Sequence, residues 1–361
     1  MRLLVSVALL GLGCNDGGSG DVGEEEGETS GSVPTIPGLT SGPSTGGGGT
    51  GGSTFVSADC TPPDPHDAVV PGAEPDDEDI DGAYTIHYVP DEPKAIVWFF
   101  HGSGGEANQI VRTEQMALTN LLVPADIGYV SADSANRSSG QWNSSANSGS
   151  EDFVRLYAIR DHLIETTGLT EDTPIITMGF SNGGSMAATV AAVAPDDGWN
   201  VVAASIHNSG MGRSNALDLP TLHSSTENDD TVGPSTLRND YERQINAGMP
   251  SVLHEGYEEP LHPERFARIG GGYSRDVSQD AFDEMVDMAM VDADGARLVS
   301  ISDAQSVLDS YEDNATVGQG PANVVAQMKV VWQMHRFSAQ FNGEECQFIS
   351  DVLDGSIWGT E

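Results

Sequence analysis

The sequence predicts an α/β fold, a mainly parallel sheet with helices on both faces. Three observations carry this. Apolar runs of strand length alternate with segments of helical apolar spacing through much of the chain. Two of the runs, "AIVWFF" and "PIITMGF", are apolar almost throughout, as strands covered on both faces are. Each runs into a Gly-rich turn, "HGSGG" and "SNGG".

The chain has 361 residues, enough for one large domain or two small ones. Residues 1–14, "MRLLVSVALLGLGC", hold one early Arg, a short apolar run and small residues before Cys14. The run is too short to span a bilayer. The pattern resembles a bacterial lipoprotein signal, with Cys14 as the lipid-bearing residue; a plain secretory signal is the alternative. Residues 15–58 are Gly, Ser, Thr, Pro and acid with almost nothing to bury, a tether rather than a domain. The folded domain is expected over 59–361.

Charge narrows the partners. There are 15 Lys and Arg against 55 Asp and Glu, a net charge of −40. Only Lys94 and Lys329 are lysines. This excludes a basic face for nucleic acid or anionic lipid, and leaves a lipid on Cys14 as the membrane contact. The run "PGAEPDDEDIDGAY" is expected to stay solvated and loosely ordered.

The elements follow in order. "AYTIHYV" is a strand, "AIVWFFHGSGG" a buried strand with its loop, and "EANQIVRTEQMALTNLL" a helix. "IGYVSAD" is a strand, and "SEDFVRLYAIRDHLIETTG" an amphipathic helix with a capping start and a Gly stop. "TPIITMGF" is a strand, "GGSMAATVAAVA" a helix, and "VVAASIHNSG" and "LPTLHSS" two more strands. The rhythm then breaks over about 233–325. "YERQINAGM", "PERFARIG", "DAFDEMVDMAM" and "SDAQSVLDSY" each have helical character there. This segment is expected to form a helical cap over the sheet's carboxyl edge, beside Ser181. "MKVVWQ" is expected as the last strand and "SAQFNGEECQFISDVL" as the last helix.

The chemistry centres on "GFSNGG". Ser181 stands between Gly179 and Gly183, after a buried strand and before a small-residue helix. That is the context a G-x-S-x-G nucleophile elbow requires. The glycines let strand and helix approach closely around a serine in a strained conformation. Upstream, "HGSGG" can aim a backbone N–H at an oxyanion. The expected donors are the N–H groups of Ser103 and of Asn182, the residue after the serine. The acid should lie in "TENDDTVG", at Asp229 or its neighbour Asp230, with Asp229 favoured because Val232 anchors the loop. The base should follow the last strand, which selects His335 of nine histidines; His262 in "EPLHPERF" is its rival. The order Ser181, Asp229, His335 is that of α/β-hydrolases.

From about residue 95 onward the chain resembles the α/β-hydrolases of the polyhydroxybutyrate-depolymerase and feruloyl-esterase type. The residues that carry the resemblance are "HGSGG", "QWNSSANSGSEDFVRL", "GFSNGGSMA", "STENDDTV" and "MHRF". It implies an α/β-hydrolase fold and hydrolysis of carboxylic esters through an acyl-enzyme, with no metal or organic cofactor. Trp142 and Asp152 match a Trp and Asp of that group, and Trp142 is assigned to substrate binding. The acyl group and the alcohol stay open. So do a dipeptidyl-peptidase-like amidase activity and a non-catalytic binding role on the same scaffold. "DADG", 292–295, resembles a calcium loop in miniature, but Met290 holds the first ligand position and a surface turn is the better reading. With Cys14 set aside, Cys60 and Cys346 remain, and an exported chain is expected to pair them, with Cα atoms within about 7 Å.

Overall fold

A computed structural model describes residues 59–145, 147–212, 216–316 and 320–358. They fall in one compact unit, Ser53–Glu361. The signal, Cys14 and the tether lie outside the described residues.

The sheet has eight strands. In chain order the first four are β1 (Asp76–Ile80), β2 (Ala83–Tyr88), β3 (Ala95–Phe100) and β4 (Ile127–Ala132). The last four are β5 (Ile175–Phe180), β6 (Val201–His207), β7 (Thr221–Thr226) and β8 (Ser251–Gly256). Their spatial order is β1-β2-β4-β3-β5-β6-β7-β8. The β1–β2 and β2–β4 pairs are antiparallel and all others parallel. The central strands β3, β4 and β5 are buried at every residue, which is why their sequences do not alternate.

The helices divide between the two faces. Val97 and Phe99 of β3 join a core with α1 (Thr113–Leu122) and α8 (Asn342–Asp354). Ile96, Trp98 and Phe100 face α2 (Glu151–Thr166) and α3 (Asn182–Val193). The Ser150 hydroxyl caps α2 by accepting from Phe153 N–H, as the sequence suggested. This mostly parallel sheet, with helices on both faces and a serine after central β5, is the α/β-hydrolase fold.

Four expectations change. The acidic run at 71–84 is not loose: it contains β1, an edge strand on which Asp76, Asp77 and Asp79 are exposed while half-buried Glu78 meets His87 and His162. The segment 233–325 is not all cap, because α4 (Pro234–Asn246) and β8 extend the sheet before the true insertion begins. "PERFARIG" contains only a short 3-10 turn, Arg265–Ile269. "MKVVWQ" is not a strand: it ends the helix α7 (Pro321–Val331). Val324, Val325, Met328, Val331 and Trp332 are buried at helical spacing, with Gly320 at the N-cap in a left-handed conformation and Pro321 opening the helix.

The insertion proper follows β8. It carries α5 (Arg275–Asp287), α6 (Ile301–Asn314) and α7, which close a core of their own around Phe282, Met285, Leu308, Tyr311, Met328 and Trp332. At "DADG" the Asp292 carboxylate accepts from Asp294 and Ala296 N–H, closing a tight turn. Cys60 and Cys346 form a disulfide with Cα atoms 5.5 Å apart. No helix among the described residues is long and apolar enough to cross a membrane.

Candidate active site

Ser181 follows β5 and caps α3 with φ 56° and ψ −126°, outside the usual regions for a residue with a side chain. Close packing holds it there. A Cβ at Gly179 would sit 2.1 Å from the Gly183 carbonyl oxygen, and one at Gly183 would sit 2.0 Å from that of Phe100. Only glycine at both positions lets α3 start so close to β3 and β5.

His335 lies in the chain that leaves α7, not after a strand. That chain is pinned to the acid loop. Asn228 N–H donates to Gln333 O at 3.1 Å, its side chain donates to Trp332 O at 2.8 Å, and the Thr226 hydroxyl donates to Met334 O at 3.0 Å. The imidazole Nε2 is 2.8 Å from Ser181 Oγ, and Nδ1 is 2.8 Å from Asp229 Oδ2. The Phe180 ring packs against the imidazole at 4.9 Å between centroids.

Asp229, not Asp230, meets the histidine. It is 6 % exposed, while the exposed Asp230 bonds, among the described residues, to Thr231 beside it. Asp229 Oδ1 accepts from Thr231 and Val232 N–H at 2.8 and 3.0 Å, so Val232 does anchor the loop. Burial opposes the Asp229 carboxylate. Hydrogen bonds from His335, Asn208 and Val232 N–H together outweigh it and hold the pKa below the usual carboxylate range. Asn208, at the end of β6, escaped the sequence reading. Its Nδ2 donates to Asp229 Oδ2 at 2.8 Å and contacts the Thr226 hydroxyl at 2.5 Å. Its φ of 46° is a signal in hindsight, since asparagine tolerates this conformation better than most residues.

The Gly-rich loop after β3 lies alongside. Gly102, Gly104 and Gly105 N–H all have acceptors within the protein. Among the described residues, the Ser103 and Asn182 N–H groups have none. His101 is a strut: it accepts from Ser134 N–H at Nε2, so its proton sits on Nδ1, which donates to Gly102 O at 2.9 Å.

Trp142 does not form a substrate surface. It is 4 % exposed; its indole N–H donates to His101 O at 3.1 Å, and its backbone N–H donates to Asn182 Oδ1 at 2.7 Å. An aromatic ring was expected to face substrate, but this one ties the β3 loop to the start of α3. Asp152 is also internal, accepting from Ala135 and Asn143 N–H. His262 stacks on His66 with centroids 3.9 Å apart and takes no part in the serine–histidine contact. A second serine–histidine–carboxylate set, Ser205, His207 and Glu345, is sealed in the core; His207 lies 3.0 Å from both partners. No substrate could reach it.

No family model matches the chain, and no curated protein matches its sequence. Solved structures do resemble it. An arylesterase shares 13 % identity over 62 % of this chain and 88 % of its own, with a TM-score of 0.40. An esterase from Pyrobaculum calidifontis shares 15 % over 60 % and 85 %, with a TM-score of 0.40. A Bacillus cereus carboxylesterase shares 13 % over 56 % and 94 %, with a TM-score of 0.37. The fold assignment rests on the strand order and the serine turn.

Proposed function

We propose that this chain is a serine hydrolase that cleaves carboxylic esters through an acyl-enzyme on Ser181. The observation that carries the reading is the continuous hydrogen-bonded line Ser181–His335–Asp229, with the serine on a strained strand-to-helix turn. In this mechanism His335 Nε2 takes the Ser181 proton as Oγ attacks the ester carbonyl. Asp229 keeps the Nδ1–H tautomer and stabilises the imidazolium. The Ser103 and Asn182 N–H groups donate to the oxyanion. His335 returns the proton to the leaving alcohol, then activates water to release the acid.

The polyhydroxybutyrate-depolymerase and feruloyl-esterase branch is the favoured one, on the motifs "HGSGG" and "GFSNGGSMA". Export is supported by the Cys60–Cys346 disulfide and the leader pattern before Cys14. The insertion after β8 is proposed to shape access to Ser181, because it delivers His335 and is tied to the acid loop.

The test is a panel of p-nitrophenyl esters of graded acyl length, with a polyhydroxybutyrate film, a feruloylated sugar and a peptide anilide beside them. The reading expects turnover of at least one ester that Ser181→Ala lacks. Cleavage of the anilide alone would make the protein an amidase, and no Ser181-dependent turnover would leave a binding scaffold.

A further inference from the structure

Behind Ser181 the core seals in an ionisable pair that the proposed chemistry does not use. His207 and Glu345 are each 2 % exposed, and Ser205 beside them is fully buried. The Ser205 hydroxyl donates to Glu345 Oε1, and both oxygens then offer lone pairs to His207 Nε2, at 3.0 Å each. Two acceptors fix a proton on Nε2 and, with it, the plane of the ring. Burial opposes the Glu345 carboxylate. Attraction to His207, the hydrogen bonds from His207 and Ser205, and His254 outweigh burial and hold the pKa below the usual carboxylate range.

A buried pair of this kind is weak support for stability, because apolar side chains of similar volume often fill a core as well. Its place in the fold gives it another use. His207 is the last residue of β6 and pairs on both sides, with Phe180 of β5 and Ser224 of β7. Its carbonyl oxygen accepts from Ser181 N–H at 2.9 Å. The next residue, Asn208, donates from its side chain to Asp229. The His207 ring packs on the Phe337 ring with centroids 4.3 Å apart, and Phe99 meets Phe337 edge-on at 6.1 Å. Phe337 is buried and stands two residues after His335. Glu345 comes from α8, whose next residue, Cys346, is anchored by the disulfide. The pair therefore joins an anchored helix to backbone or neighbours of all three residues in the Ser181–His335–Asp229 line.

We propose that Glu345 and His207 are positioning residues for the reaction at Ser181: their directed bonds fix the end of β6 and, through the Phe337 ring, the chain that carries His335. This rests on the hydrolase reading, and neither residue touches substrate. His335 Nε2 must stay within hydrogen-bond reach of Ser181 Oγ, and a misplacement of about 1 Å can cost about 100-fold in rate. An imidazole held by two directed bonds keeps the Phe337 ring in one place. An apolar side chain filling the same space selects no single orientation.

The test uses the triple variant Ser205→Ala/His207→Phe/Glu345→Met, which fills the core without a buried charge or hydroxyl, and Glu345→Gln, which keeps an acceptor for both donors. Urea melts report folding. The readouts are kcat and KM on an ester that wild type cleaves, and the low-field proton resonance of the His335–Asp229 bond, identified by its absence from His335→Ala. The proposal expects the folded triple variant to lose about tenfold or more in kcat, with KM within about threefold and the resonance shifted or lost. Glu345→Gln should keep kcat within about threefold of wild type. Wild-type kcat and an unmoved resonance in the triple variant overturn the proposal, as does a loss in Glu345→Gln equal to that of the triple. Should the triple variant fail to fold, Phe337→Leu decides: it leaves the pair intact but removes the ring, and wild-type kcat with an unmoved resonance there overturns the proposal equally. Wild type without Ser181-dependent turnover overturns the hydrolase reading, and with it a role in that reaction.

Discussion

Asp229 keeps its charge in a buried site only because other groups donate to it, and Asn208 is the donor on the same oxygen that faces His335. Replacing Asn208 by Asp keeps the shape but removes the donor and sets a second carboxylate against Asp229. The expected result is a fall in kcat of about tenfold or more with little change in KM, because a lost bond to a buried charged group costs roughly 1.5–3 kcal/mol. Steady-state kinetics at neutral pH checks this; unchanged kcat would mean Asn208 is only structural. His335→Ala is expected to cost about 10⁴-fold or more in kcat, near the loss from Ser181→Ala, since the two act as one unit. His262→Ala should leave kcat within a few-fold, because His262 stacks on His66 away from the serine–histidine contact.

Elements were legible in proportion to how local their signals are. β3 and β5 declare themselves as apolar runs, and "GFSNGG" fixes the strand–serine–helix corner because glycine alone fits there. β8 escaped because "SVLHEG" is a short, half-buried strand without such a run. "MKVVWQ" misled because four apolar residues in six mimic a strand. The helical spacing shows only when Val324 and Val325 are counted with it. Trp142 was readable as conserving a pattern but not as buried, since its partners His101 and Asn182 are 41 and 40 residues distant. Inside β7, His223 is fully buried with neither ring nitrogen bonded among the described residues, and burial first, then Arg243, lowers its pKa from 6.5 to about 3. The unfolded chain therefore binds a proton that the folded chain refuses between those values. Stability is full above pH 6.5 and falls as pH drops toward 3, by about 1.4 kcal/mol per unit at most. His223→Leu should flatten that slope in urea melts across pH 4–7; an unchanged slope would show that His223 is not its source.

The whole molecule sets long-range restraint against self-repulsion. The Cys60–Cys346 disulfide spans a sequence separation of 286. It also fixes the segment carrying Pro62 and His66 to α8. Cys60→Ala is expected to lower the unfolding free energy by about 5–6 kcal/mol if loop entropy dominates, read from urea midpoints. A net charge of −40 should make the melting temperature rise with added NaCl, because screening relieves repulsion among carboxylates; a steady fall would contradict that. Through all of this the sheet brings together three side chains from β5, the β7 loop and the end of the insertion, and the central claim is that they make Ser181 a nucleophile. The most direct measurement is intact mass and peptide mapping after treatment with a fluorophosphonate. The account predicts one adduct, on Ser181, absent in Ser181→Ala and strongly slowed in His335→Ala. No adduct on the folded wild-type protein, or an adduct on another residue with Ser181 untouched, would contradict it.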